Sequence, residues 1–226
     1  MSQQHAWNRE YRKPQLLTKG DQPQAEILTF LKFLRKSGEN WRTFKVLDLG
    51  CGTGRNTNFW ADEGCQATGV DISENALRIA RERAEVLGIA PRYQYADMGK
   101  PLPFKNEEFD LALDVMASNS LSELERETFL KETARVLRPS GYFFVRALAK
   151  EGDTNAKELL KKSPGKEKDT YTIKELGITE RVFTKVDFEE LYSAYFQIIA
   201  LKKVTHYPRM NNRVYRRNYW IAYLKK

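Results

Sequence analysis

The most constraining feature of the sequence is residues 46–55, VLDLGCGTGR, where a short apolar run ends in three glycines within five residues. The run is typical of a buried strand, and residues 53–63 are predicted to form a helix. A glycine turn between a strand and a helix exposes backbone N–H groups and lets another group approach the main chain. The segment therefore predicts a nucleotide-like ligand at the carboxyl end of the first strand of an open α/β sheet.

Short apolar runs alternate with amphipathic segments up to residue 149, which predicts an α/β fold, a parallel sheet with helices on both faces. The predicted helices are 23–36, 53–63, 74–87 and 123–137, the last opened by a capping box at Ser122 and Glu125. The predicted strands are 44–49, 67–70, 93–96, 109–116 and 142–147. A further helix starts at Asp187, and the final strands, 198–205 and 214–224, are predicted to form an antiparallel hairpin.

The length of 226 residues favours a single domain. We expect an N-terminal arm and helix (1–40), a ligand-binding core (41–149), a lid-like insertion (150–185) and a C-terminal helix and hairpin (186–226). No apolar run has the length of a signal peptide or a membrane span, so we expect a cytoplasmic protein without a membrane partner. Cys51 and Cys65 are expected to be inert thiols, and no metal site is predicted. The oligomeric state is left open.

The positive charge is concentrated at the C-terminal end. The net charge is +8, and after Glu190 the chain has eight Lys and Arg residues and no Asp or Glu. A surface of one sign attracts anions, so nucleic acid, a phosphorylated metabolite and an acidic protein all stay open as partners. A solvated basic face is the alternative.

The glycine spacing separates two classes of nucleotide ligand. A dinucleotide fingerprint has the spacing G-x-G-x-x-G, whereas Gly50, Gly52 and Gly54 give G-x-G-x-G, with Arg55 at the position of the last glycine. A phosphate-binding P-loop is excluded because no Gly-Lys-Ser/Thr follows. The acid Asp48 before the turn would repel a pyrophosphate but suits a ligand that carries an ammonium group.

Residues 48–54, with VL before them and a helix after them, resemble motif I of the class I S-adenosylmethionine-dependent methyltransferases. The resemblance covers about residues 40–149. It continues in GVDIS (69–73), YADM (95–98), FDL (109–111) and ARVLRPSGY (134–142). It implies a Rossmann-like methyltransferase fold in one domain, with a seven-stranded, mostly parallel sheet and S-adenosylmethionine as the cofactor.

The cofactor-binding residues that the resemblance implies are Asp48, Gly50, Gly52, Gly54, Arg55, Asp71, Ile72, Asp97 and Met98. Asp48 and the glycine backbone would hold the methionine part, and Arg55 would reach its carboxylate. Asp71 would accept hydrogen bonds from both ribose hydroxyls, with Ile72 against the adenine face. Asp97 would accept from the adenine amino group, with Met98 packed on the ring. The alternatives are structural: Asp48 pins the loop, Asp71 caps a helix and Arg55 is solvated.

The acceptor side is predicted from the end of the fourth strand, LDVMASNS (113–120). Many small-molecule members of the family carry a His near Asn119, whereas Asn cannot take up a proton at neutral pH. Asp114 is the only titratable group nearby. The predicted catalytic residues are therefore Asp114, as a base or as a structural acceptor for the cofactor amino group, and Asn119, which would orient the acceptor. The predicted substrate contacts are Trp7, Tyr11, Arg146, Tyr207 and Arg209.

These features predict methyl transfer by in-line displacement to a small, anionic metabolite. The alternative is an RNA or protein substrate bound by the basic C-terminal third, where Tyr207, Tyr215, Tyr219 and Trp220 are interleaved with the cations. Against it, residues 219–224 alternate as a buried strand does. A cofactor-binding module without catalysis and a nicotinamide dehydrogenase are further alternatives.

Overall fold

A seven-stranded sheet organises the part of the chain that the computed structural model describes, residues 3–12, 20–210 and 213–226. In chain order the strands are β1 (Lys45–Leu49), β2 (Gln66–Asp71), β3 (Arg92–Tyr95), β4 (Phe109–Val115), β5 (Leu137–Leu148), β6 (Thr170–Ile173), β7 (Ile178–Arg181), β8 (Gln197–His206), β9 (Arg209–Met210), β10 (Arg213–Val214) and β11 (Arg217–Lys225). The large sheet has the order β3-β2-β1-β4-β5-β11-β8, and β6–β7 and β9–β10 form separate two-stranded sheets. Strands β1 to β5 are parallel to one another, whereas β11 runs antiparallel to both β5 and β8.

Seven α-helices lie in the described residues. They are α1 (Gln4–Glu10), α2 (Ala25–Lys36), α3 (Arg55–Asp62), α4 (Glu74–Leu87), α5 (Glu123–Val136), α6 (Thr154–Lys162) and α7 (Lys185–Ser193). Successive side chains of a strand point to opposite faces. On β5, Phe143 therefore packs with Phe129 of α5 and Phe188 of α7, while Phe144 packs with Phe30 of α2 on the other face. The two apolar clusters confirm the predicted α/β layers.

The order of the strands places a crevice beside β1. The chain runs outward from β1 through β2 to β3 and then returns to the other side of β1 as β4 and β5. Ligands of open α/β sheets bind where the strand order reverses in this way, outside the carboxyl ends of the strands. The turn that follows β1 is the glycine turn of residues 50–54.

The predicted helices and strands between residues 23 and 149 are confirmed, with shifted ends. The helix predicted over 53–63 begins at Arg55, because its cap Gly54 has a left-handed backbone with φ of +78°. The predicted C-terminal pair is confirmed as antiparallel, but its second strand begins at Arg217 because β9 and β10 occupy the connection.

Two segments contain elements that were not predicted. The segment 150–185, in which we predicted no regular structure, contains α6 and the β6–β7 pair. Residues 4–10 form the helix α1 although they contain little apolar periodicity. A seven-residue helix is not stable alone, so tertiary contacts hold it in place.

No helix in the described ranges combines the length and the apolar character that crossing a bilayer requires. Within the same ranges, His, Cys, Asp and Glu side chains form no group of three or more that could bind a metal ion.

Candidate active site

The three glycines of the turn make room for the protein itself. Each has a positive φ: +68° at Gly50, +54° at Gly52 and +78° at Gly54. A Cβ on Gly50 would overlap the Cβ of Ala117, which follows β4, and would lie 3.4 Å from Met98 Cε. On Gly52 it would lie 2.8 Å from the Tyr11 hydroxyl, and on Gly54 it would overlap the hydroxyl of Tyr93 on β3. Side chains from three separate segments thus close in on the turn.

A cavity of about 270 Å³ lies at the carboxyl ends of β1, β2, β4 and β5. The predicted site residues that line it are Trp7, Tyr11, Gly50, Gly52, Arg55, Asp71, Ile72, Asp97, Met98 and Arg146. Those that do not line it are Asp48, Gly54, Asp114, Asn119 and Tyr207. Tyr207 is 66% exposed, and the side chain of Arg209 lies outside the described residues.

Asp71 ends β2 as a buried carboxylate on the cavity wall. Its Oδ2 accepts a hydrogen bond from the Gly52 N–H at 2.8 Å, and its Oδ1 accepts from the Ser73 N–H at 2.8 Å. Burial raises its pKa from 3.8 to about 6, although the backbone hydrogen bonds oppose that rise. The helix cap is Ser73, whose hydroxyl accepts from the Ala76 N–H, so Asp71 holds the glycine turn and the turn before α4 together.

Asp48 lies behind the turn. Its Oδ2 accepts from the Thr57 hydroxyl at 2.6 Å, which joins β1 to the first turns of α3. Burial raises its pKa to about 6, and the Thr57 hydrogen bond partly offsets the rise. Of the two roles considered for Asp48, the contact in the structure is the pinning one, made through a side-chain hydroxyl.

The segment after β3 supplies Asp97 and Met98. Asp97 Oδ1 accepts from the Gly99 N–H at 3.0 Å, and its Oδ2 lies 3.4 Å from Lys100 Nζ. Both residues are partly exposed to the cavity, beside the buried Ala96. An acid and a thioether side by side offer one hydrogen-bond acceptor and one soft apolar contact to a planar ring.

Four polar atoms on the cavity wall are buried and have no hydrogen-bond partner among the described residues. They are Gln24 Oε1, Asn56 Oδ1, Ser120 Oγ and Arg146 Nε. Buried polar atoms in native proteins are nearly always paired, so a cluster of unpaired ones marks a place for ligand or water. The sequence indicated only Arg146. Asn56 had a usable signal, since it lies in the first turn of the helix that follows the glycine turn.

Two guanidinium groups share the cavity. Arg146 on β5 stacks on Tyr219, with its Cζ 3.7 Å from the ring centroid, and its Nε lies 3.9 Å from Glu26 Oε2. Arg55 has no hydrogen bond or ion pair with any described residue, and its pKa is lowered by burial and by the charge of Arg146. Guanidinium groups such as these can pair with an anionic group of a ligand.

Helix α1 covers the cavity. Trp7 and Tyr11 line it and stack on each other with ring centroids 6.1 Å apart. One end of the helix is held by Gln3, which donates to the carbonyls of Ser120 at 2.6 Å and of Thr179 at 2.9 Å. On the other side, Asn8 accepts from the Ser73 hydroxyl at 3.0 Å. The helix is thus attached to both walls of the crevice.

Asp114 and Asn119 hold the loop that follows β4. Asp114 Oδ1 accepts from the N–H groups of Ala117 at 3.0 Å and Ser118 at 3.1 Å. Burial raises its pKa to about 6. Asn119 Oδ1 accepts from the Leu148 N–H at 3.3 Å. Neither residue lines the cavity, so the contacts in the structure support a structural role rather than the predicted catalytic one.

Glu180 of β7 lines the cavity and was not predicted as a site residue. It is 9% exposed and accepts a hydrogen bond from the Tyr171 hydroxyl at 2.7 Å. It comes from the insertion in which no strand was expected, so no periodic signal pointed to it.

Comparison with known proteins agrees with this geometry. Residues 46–141 match the family described as a methyltransferase domain. The demethylmenaquinone methyltransferase of Tropheryma whipplei (strain Twist) is 39% identical over 102 residues, which are 45% of this chain and 40% of that protein. The chain therefore spans well under half the length of this relative.

Solved structures share the fold over nearly the whole chain. The PH0226 protein of Pyrococcus horikoshii OT3 superposes with a TM-score of 0.69 at 28% identity, covering 96% of this chain and 99% of that one. The 1,6-didemethyltoxoflavin-N1-methyltransferase of Burkholderia thailandensis, crystallised with 1,6-didemethyltoxoflavin and S-adenosylhomocysteine, superposes with a TM-score of 0.64 at 23% identity, covering 87% and 75%.

Proposed function

We propose that the chain is a class I S-adenosylmethionine-dependent methyltransferase that transfers a methyl group to a small, anionic acceptor. The cofactor of this family carries the methyl group on a sulfonium, which a nucleophile displaces in line. The chain's own residues then have three tasks: to hold the cofactor, to align the acceptor and to exclude water.

The residues of the cavity fit this cofactor. Each oxygen of Asp71 accepts one backbone hydrogen bond and has lone-pair capacity left for a ribose hydroxyl. The unpaired Asn56 Oδ1 beside the glycine turn suits the ammonium group, which Asp48 does not reach from behind the turn. Asp97 and Met98 suit the adenine ring. We therefore assign the cofactor contacts to these residues, with Asn56 added to the predicted set.

The observation that carries an anionic acceptor is the pair of Arg55 and Arg146 on the cavity wall. Arg55 has no partner among the described residues, and Arg146 has an unpaired Nε. A buried cation without a full counter-charge is costly, so a bound anion would relieve both groups. Arg55 also remains available to the cofactor carboxylate, which leaves Arg146, stacked on Tyr219, as the main acceptor contact.

A small acceptor fits the closed shape of the site. The helix α1 lies across the crevice and is bonded to both of its walls, so a polymer has no open groove in which to lie. Two of the three proteins named above are, by their names, methyltransferases of demethylmenaquinone and of 1,6-didemethyltoxoflavin, which are small molecules.

The basic C-terminal third gives less support to an RNA substrate than its composition suggested. Tyr219 and Trp220 are 8% and 5% exposed, and the Trp220 Nε1–H donates to the Phe183 carbonyl at 2.9 Å. Arg217 is paired with Asp153 at 3.1 Å. Aromatic rings that are part of the core cannot stack on bases.

The test has two stages. The first is a calorimetric titration of the protein with S-adenosylhomocysteine, in which we expect one site per chain. The second is incubation with methyl-labelled S-adenosylmethionine and a cell extract, followed by separation of labelled products by size. We expect label in the small-molecule fraction.

Label in the RNA or protein fraction would contradict the small acceptor. Tight cofactor binding without any transfer of label would contradict the enzyme. As a matched control, Glu74→Gln changes an acid in the first turn of α4 that does not line the cavity, and it should leave both results unchanged.

A further inference from the structure

Glu180 gives the cavity a fixed negative group to set against its two cations. We propose that the acceptor is a hydroxy- or amino-carboxylate, whose carboxylate pairs with Arg146 and whose hydroxyl or amine donates a hydrogen bond to Glu180. This inference rests on the proposed function and names the substrate class of the same site.

The Glu180 carboxylate has one oxygen to spare. Its Oε2 accepts from the Tyr171 hydroxyl at 2.7 Å, and its Oε1 has no hydrogen-bond partner among the described residues. The residue is 9% exposed, and the surface that remains open faces the cavity. A carboxylate in such a place needs a donor, because burying a charge without partners is costly.

A chain of hydrogen bonds fixes Glu180 from behind. The Tyr171 hydroxyl accepts from Arg217 Nη2 at 3.3 Å, and Arg217 Nε donates to Asp153 Oδ2 at 3.1 Å. Asp153 is itself held by the N–H groups of Ala156 and Asn218. Burial raises the pKa of Tyr171 well above its usual value, so its hydroxyl stays protonated and donates a hydrogen bond to Glu180.

The negative charge of Glu180 is not neutralised within this network. Asp153 and Arg217 form an ion pair and cancel each other, which leaves one negative charge at Glu180. The charge is directed at the cavity, because Arg181, the neighbouring cation on β7, pairs with Glu123 and lies over the Phe183 ring instead. A protic group of the acceptor is the natural partner for it.

Arg146 lines the same cavity as Glu180. Tyr219 stacks under Arg146, and Arg217, two residues earlier on β11, points to the same face of the strand and reaches Tyr171. Strand β11 therefore connects the two groups, through Tyr219 at Arg146 and through Arg217 at the Tyr171 partner of Glu180. A ligand in this cavity meets a cation at Arg146 and an anion at Glu180.

A carboxylate matches Arg146 better than a phosphate dianion does. Glu26 Oε2 already lies 3.9 Å from Arg146 Nε and compensates part of its charge. The other Glu26 oxygen lies 2.6 Å from His206 Nε2, so Glu26 is held in place and cannot move away to admit a second negative charge.

The test uses binding to the protein saturated with S-adenosylhomocysteine, so it does not depend on turnover. The probes are the three hydroxybenzoate isomers, benzoate, which lacks the hydroxyl, and 3-hydroxybenzamide, which lacks the carboxylate. We expect at least one hydroxybenzoate to bind about 10-fold or more tightly than benzoate, as for a hydrogen bond to a charged group. We expect 3-hydroxybenzamide to bind more weakly than 3-hydroxybenzoate by a similar factor.

Two variants assign the effects to residues. Glu180→Gln should remove the preference for the hydroxyl while leaving benzoate binding unchanged. Arg146→Gln should weaken the binding of both the hydroxybenzoates and benzoate. Glu74→Gln, a change of an exposed acid of α4 outside the cavity, is the matched control and should alter neither preference.

The outcomes separate the two proposals. If the wild-type protein does not bind S-adenosylhomocysteine, the proposed function fails. If it binds the cofactor product but no hydroxybenzoate exceeds benzoate, this inference alone is overturned, and wild-type protein suffices to decide it. Retention of the hydroxyl preference in a Glu180→Gln protein that still binds S-adenosylhomocysteine would also overturn it.

Discussion

Gly50 offers a direct test of the close approach between the turn after β1 and the loop after β4. Its φ of +68° is nearly the same as that of Gly88, which ends α4 with a φ of +67°. The two glycines differ in their surroundings, because a Cβ on Gly50 would overlap Ala117, whereas a Cβ on Gly88 would meet nothing within 4 Å. Gly88→Ala is therefore the matched control for Gly50→Ala.

The difference in the free energy of unfolding between these variants can be worked out from their shared backbone conformation. A side chain in the left-handed conformation costs about 1–2 kcal/mol, and this cost applies to both variants. Forcing an extra methyl group into a packed contact costs about 1–3 kcal/mol more, and this cost applies only to Gly50→Ala. For a chain of this length, 1 kcal/mol shifts the melting temperature by about 2–4 °C. Gly50→Ala should therefore melt about 2–12 °C below Gly88→Ala.

The assay is thermal unfolding of both variants, paired with calorimetric titration with S-adenosylhomocysteine. We expect Gly88→Ala to bind the cofactor product as the wild type does. We expect Gly50→Ala to bind more weakly, because the displaced loop lines the cavity. Equal melting temperatures for the two variants would refute the idea that Ala117 packs against the turn. Wild-type affinity of Gly50→Ala for S-adenosylhomocysteine would show that this packing does not affect ligand binding.

Four further predictions follow from single contacts. Asp71→Asn should weaken binding of S-adenosylhomocysteine by about 10–100-fold in calorimetry, since it removes a charged acceptor worth about 1–3 kcal/mol; unchanged affinity would remove Asp71 from the site. Asp48, Asp71 and Asp114 each have a folded-state pKa of about 6 against an ordinary 3.8, so the folded protein binds more protons between these values and its free energy of unfolding should fall as the pH rises from about 4 to about 6. Over the same range the cofactor affinity should rise, as Asp71 becomes the anion that accepts hydrogen bonds; denaturant unfolding and calorimetry at several pH values measure the two opposite slopes. Ser122→Ala breaks the capping box of α5 and should lower the free energy of unfolding by about 0.5–2 kcal/mol in denaturant unfolding; an unchanged free energy of unfolding would contradict the stabilising role of this cap. Trp7→Ala should speed the dissociation of S-adenosylhomocysteine measured by stopped-flow, because the covering helix loses a contact with the cavity; an unchanged rate would show that α1 does not retain the ligand.

The positions of the residues that we propose as cofactor contacts could be predicted from the sequence, because local patterns determine where those residues lie. Strand ends can be read from short apolar runs, and parallel strands bring their carboxyl ends to one edge of the sheet. Asp71 ends β2 and Asp97 follows β3, so their place on the cavity wall could be predicted without knowledge of distant contacts. The details of Asp48 were not predictable in the same way, because its partner, the Thr57 hydroxyl, depends on how α3 packs against β1.

The acceptor half depends on contacts between distant segments. Gln24, Arg146 and Glu180 lie in three different parts of the chain and meet only in the folded protein. Glu180 was invisible to sequence analysis, because β7 is four residues long and lies in a charged segment without alternation. Asp114 and Asn119 were placed near the chemistry because they follow β4, but a strand end determines where a residue lies and not where its side chain points.

The glycine turn connects the two halves. A Cβ on Gly52 would lie only 2.8 Å from the Tyr11 hydroxyl. Tyr11 lies at the C-terminal end of the covering helix α1. The same glycine donates its N–H to Asp71, which is assigned to the ribose. The absence of a side chain at Gly52 therefore has two effects. Tyr11 can pack against the turn, and the turn can approach Asp71 closely enough for a hydrogen bond. The bare main chain that suggested a ligand site is thus first a contact between parts of the protein, and the cavity is shaped by those contacts before a ligand enters.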